Sequence, residues 1–70
     1  MAVKWTRVAP YLENGYASEG RVERSGIVDR MYDEGADDDV VDTVDALGSR
    51  VFNSVEDAKQ FLLSQGLVEE

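Results

Sequence analysis

The densest chemistry this chain offers is a run of carboxylates, Asp33-Glu34-Gly35-Ala36-Asp37-Asp38-Asp39, followed by Asp42 and Asp45. Clustered carboxylates suit calcium or magnesium, which take oxygen ligands. The spacing is not the alternating Asp pattern of an EF-hand loop, however, and the closing Glu is missing. Asp38, Asp42 and Asp45 recur at helical intervals, which places them on one side of a helix but spreads them along its axis. They stand too far apart to wrap one ion without outside ligands, so a weak cation site ranks third among the readings. A docking face for a basic partner, built from Asp33, Asp37, Asp38, Asp42 and Asp45, ranks above it. The plainest reading is that these acids cap helices and keep one face wet.

Other reactive constellations are missing. The chain has no Cys and no His, which removes disulfides, thiolate metal sites, the commonest general base and the usual transition-metal ligand. Asp29 and Asp33 are paired carboxylates, but on a face expected to be exposed nothing would set one up as the acid and the other as the base. Ser25 and Ser54 have no base beside them in sequence, and there is no phosphate loop or nucleophile elbow. The expectation is a protein without catalytic residues, cofactor or metal.

Fifteen acids against seven bases give a formal net charge of −8. A field of that sign repels nucleic acid and anionic membranes and attracts basic partners. It also suits an acidic mimic of nucleic acid that occupies the groove of a basic DNA- or RNA-binding protein. Asp outnumbers Glu by eight to seven and Arg outnumbers Lys by five to two. That mix fits either a high-salt cytoplasm or a GC-rich genome with ordinary solubility, the second being the plainer. No stretch approaches the roughly 20 apolar residues of a membrane span, and without a secretion signal the expected location is the cytoplasm.

Seventy residues, 43% of them hydrophobic, imply one domain over 1–70 with a thin but sufficient core. Trp5, Val8, Ala9 and Leu12 share a helical face, yet Pro10 favours a short helix that starts near Ala9–Pro10 and closes at Asn14-Gly15. Gly15 to Val22 reads as loop. A second helix fits Ser25–Glu34, with Ile27, Val28, Met31 and Tyr32 as its stripe, Ser25 as cap and Gly35 as stop. The third is capped by Asp37 or Asp38, buries Val40, Val41, Val44 and Leu47, and ends at Gly48. Arg50-Val51-Phe52 is extended. Asn53 or Ser54 caps a fourth helix whose stripe is Val55, Ala58, Phe61 and Leu62. Gly66-Leu67 predicts a Schellman ending with Leu67 folded back on Leu62, and Val68–Glu70 reads as a frayed tail. The fold class is therefore mainly α, a compact bundle of three to four short helices. A minor two-stranded β element would pair residues near Tyr16 with Val51. Leu63 points away from the fourth stripe and, with Leu67, is a candidate apolar contact for a partner or a homodimer. The aromatics are more naturally core than recognition groove.

The run from Gly35 to Leu62, GADDDVVDTVDALGSRVFNSVEDAKQFL, resembles the second half of a small bacterial and archaeal domain family of unknown function. That family joins a Gly-Ala-Asp-Asp-rich helix start, a Leu, a short extended piece ending in an aromatic, and a Ser-capped helix. Tyr16-Ala17-Ser18 is similar to its Tyr-x-Ala-Ser/Thr entry, with Ala17 where Pro is usual, so the likeness spans residues 16–62. It implies a small helical fold and transfers no catalytic or ligand residue. The functional expectation is a non-enzymatic cytoplasmic interaction or accessory module, acting through the acidic face or an aromatic–Leu63 surface.

Overall fold

In the computed structural model, which describes residues 2–70, the chain forms four helices and four two-residue strands, with the second and third helices following one another directly. Strand β1 (Val3–Lys4) runs directly into helix α1 (Trp5–Glu19). This helix corrects the sequence reading at both ends: it begins before Pro10 and passes through Gly15. Pro10 removes the bond to the Thr6 carbonyl, but both residues are exposed, so water reaches the freed oxygen. Val8 and Leu12, fully buried on either side of the proline, hold the helix through packing. Gly15 is buried at the crossing with the second helix, where a Cβ would sit 2.7 Å from Ile27 Cγ1. It is a close-contact residue, and the stop comes five residues later at Gly20, whose φ is 74° and whose N–H bonds the Tyr16 carbonyl at 2.7 Å.

Strand β2 (Val22–Glu23) leads into α2 (Arg24–Glu34), which buries Ile27, Val28 and Met31. Ser25 is not its cap. Glu23 takes that place, and the Ser25 hydroxyl donates to Glu23 Oε1 at 3.2 Å. The other end follows the sequence reading: Gly35 N–H bonds the Tyr32 carbonyl and Ala36 N–H the Met31 carbonyl, a Schellman closure. Helix α3 (Asp38–Asp45) then buries Val40, Val41, Thr43 and Val44. The Thr43 hydroxyl donates to the Asp39 carbonyl at 2.9 Å, so its burial leaves no unmet polar group. Asp37 caps the helix by backbone position alone, with no side-chain bond.

Strand β3 (Val51–Phe52) pairs antiparallel with β2, Val22 opposite Phe52 and Glu23 opposite Val51. The minor β element thus exists, but its partner is the Val22 strand and not the Tyr16 region, which is helical. Helix α4 (Val55–Ser64) starts at Ser54, whose Oγ accepts the Asp57 N–H at 3.2 Å. It ends as the sequence predicts, with Gly66 N–H on the Leu63 carbonyl and Leu67 N–H on the Leu62 carbonyl, both 3.0 Å. The expected fraying beyond it does not occur. β4 (Val68–Glu69) pairs in parallel with β1, Val3 opposite Val68, and both valines are buried. The mainly α architecture holds, with two small β elements where one was expected.

Candidate functional site: the anionic surface

The bases of this chain are largely engaged with its own acids. Arg7 on α1 reaches the start of α3, with Nη2 2.8 Å from Asp37 Oδ2 and Nη1 2.9 Å from Asp39 Oδ2. The hydrogen bond between them raises the Arg7 pKa and holds the Asp39 carboxyl below its ordinary value. Arg24, at the start of α2, reaches the end of α3. Its Nη1 lies 2.7 Å from Asp45 Oδ1, and its Nε donates to the Gly48 carbonyl at 3.0 Å. Arg21 pairs with Glu23 at 3.1 Å, and that bond, with the Ser25 hydroxyl, lowers the Glu23 pKa. At the joined strands β1 and β4, Lys4 meets Glu69 at 2.8 Å. Lys59 meets Glu70 at 2.7 Å, which raises the lysine pKa and lowers the glutamate's. The Lys59 ammonium also lies 5.4 Å from the Trp5 ring centroid, and the Arg50 guanidinium lies 4.9 Å from that of Phe61.

This arrangement divides the carboxylates singled out by the sequence. Asp37 and Asp45 are held by arginines. Asp33, Asp38 and Asp42 are exposed and, among the described residues, have no cationic partner within 4.0 Å. Asp38 and Asp42 are one turn apart on α3, on the side opposite its buried valines. Asp29, Glu34, Glu13, Glu19, Glu56 and Asp57 are exposed and equally unpaired with a base, although Glu56 accepts a bond from Gln60 at 2.8 Å. No three acids among the described residues converge closely enough to hold a metal ion together. The same residues form no pocket.

The residues of the expected apolar contact are only partly exposed. Leu63 and Leu67 are half-buried and pack against the core. Leu67 is drawn in by the Schellman turn, and Leu63 lies against the cluster that Phe52 and Phe61 join. The large hydrophobic side chains that do face solvent are Tyr32 at 67%, Val51 at 51% and Tyr16 at 41% exposure. Sequence reasoning placed Tyr32 in the buried stripe of α2. One signal could have found it. On a helical projection Tyr32 lies on the Asp29 side of the arc formed by Ile27, Val28 and Met31, and Asp29 is three residues before it.

Comparison with known protein families, with curated proteins and with solved structures finds no match to this chain. No helix of the described residues is long and apolar enough to cross a membrane.

Proposed function

We propose that this chain is a non-enzymatic, cytoplasmic interaction module that docks a basic protein partner through the exposed carboxylates around Asp33, Asp38 and Asp42. Membership of the helical family that residues 16–62 resemble is part of the same proposal. The observation that carries the reading is the placement of the bases. Lys4, Arg7, Arg21, Arg24 and Lys59 are each within 3.1 Å of an acid of the same chain. The acids left over are all exposed, so the outward field is anionic by arrangement as well as by composition. With Leu63 and Leu67 partly buried against the core, the acidic face is the better supported of the two surfaces suggested by the sequence.

The test is affinity capture of the partner from the native cell, then binding of the purified pair across a salt series. Replacing Asp33, Asp38 and Asp42 together by Asn should weaken binding several-fold at low salt and flatten its salt dependence, because fewer charges are steered and screened. Equal affinity and an equal salt slope for the variant would refute the reading.

A further inference from the structure

Tyr32 is the most exposed large hydrophobic side chain among the described residues, and it stays out of the core that Tyr11 and Trp5 pack against. Leaving an aromatic ring in water forgoes its burial energy, which makes its place on the helix informative. Long side chains on a helix lean toward its N-terminus and cover the preceding turn. For Tyr32 that turn holds Asp29, three residues back, and Asp33 follows on the same exposed side of α2. Neither acid has a cationic partner within 4.0 Å among the described residues. Arg30, the only base in the body of this helix, lies across the helix from Tyr32 and one turn before Asp33, but it makes no ion pair within 4.0 Å among the described residues. The face therefore offers a free aromatic ring bordered by two free carboxylates.

A cation fits both halves of that arrangement. Ring faces attract cations through the quadrupole, and carboxylates accept their N–H groups. Between the two biological cations, a guanidinium is the better match. It is planar, sheds water more readily than an ammonium, stacks on aromatic faces and presents a fork of donors to carboxylates. We propose that the Tyr32 face of α2 receives an arginine side chain of the partner, its guanidinium stacked on the ring and its N–H groups shared between Asp29 and Asp33. This rests on the reading of the chain as a module for basic partners and names the residue type and the contact point.

The probe is a hexa-arginine peptide, added at low salt to the isotopically labelled full chain while backbone amide shifts are followed by NMR. The largest shifts should fall on Asp29 to Asp33. Tyr32→Leu, which keeps the apolar bulk and loses the ring, should weaken binding about two- to fivefold, the size of an exposed cation–π contact. Tyr32→Phe, which keeps the ring, should bind as the parent does. The side chain is largely exposed, so both variants keep the fold. If Tyr32→Leu binds as well as the parent, or if the shifts centre on Asp38 and Asp42, the arginine site is refuted while the acidic docking surface stands. If the peptide does not bind at all at low salt, both readings fall.

Discussion

Gly15 gives the sharpest test of the packing. In an exposed helix, Gly→Ala stabilises by about 1 kcal/mol, because alanine restricts the unfolded backbone and favours the helix. At this position the new methyl would lie 2.7 Å from Ile27 Cγ1 and 3.0 Å from its Cδ1. Ile27 cannot easily yield: it is buried to 2% exposure and, being β-branched, is stiff at χ1. Overpacking of this kind costs about 1–3 kcal/mol. Setting that against the propensity gain of about 1 kcal/mol, Gly15→Ala should leave the protein less stable by roughly 1 kcal/mol. In a domain of this size that lowers the melting temperature by about 4–8 °C. The decisive measurement is a double-mutant cycle with Ile27→Ala, followed by urea denaturation. Ile27→Ala alone should cost about 2–5 kcal/mol, but it removes both atoms the new methyl would strike. In that background Gly15→Ala should therefore stabilise, by up to about 1 kcal/mol. The sign of one substitution is expected to reverse with the state of a residue on the neighbouring helix. A Gly15→Ala variant that is more stable than the parent in both backgrounds would show that α1 and α2 do not approach this closely.

Two further outcomes follow from local chemistry. Ser54→Ala removes the Oγ that accepts the Asp57 N–H and should cost about 1 kcal/mol in thermal denaturation; an unchanged melting temperature would exclude the cap. The folded-state pKa values of Asp39, Glu23 and Glu70 are lowered by their hydrogen-bonded cations. The stability these groups contribute is therefore fully present above the ordinary carboxylate range and lost as pH falls through the lowered values. Arg7→Gln should flatten the acid limb of a stability–pH curve by removing the cation that lowers Asp39, and a curve unchanged in shape would refute that linkage.

The local signals that proved legible in the sequence share one property: their cause lies within one turn of chain. The cap at Asn53 or Ser54, which falls on Ser54, Gly35 as a helix stop, Gly66 as a Schellman glycine, and the valine stripe of α3 depend only on neighbours in sequence. The misread features depend on distant residues. Pro10 and Gly15 carry local signals that start and end a helix, yet Val8 and Leu12 are held in the core and Gly15 is matched to Ile27 on another element. Val68 looks like a tail residue until Val3, at the far end of the chain, supplies its partner strand. The acidic face was legible as composition, while its division into paired and free carboxylates was not. Nothing near Asp37 or Asp45 in sequence announces Arg7 or Arg24.

That division bears on what the charges are for. Exposed ion pairs contribute little stability individually, since water and salt screen them, so the apolar stripes must supply most of the folding energy. The arginine contacts do something else. Arg7 joins residues 30 and 32 positions away, and Arg24 one that is 21 positions away, so each spans two helices at an end of α3. By fixing both ends of α3, they present its unpaired acids, Asp38 at the first residue and Asp42 at the middle, in one orientation. They also neutralise the carboxylates at the ends, Asp37, Asp39 and Asp45, which confines the unpaired charge on this helix to the centre of its outer surface and to its first residue. An even scatter of the same acids and bases would give the same net charge of −8 but a weaker and less directional field. A basic partner is recognised by such a pattern, because complementarity depends on where charges stand and not only on their sum.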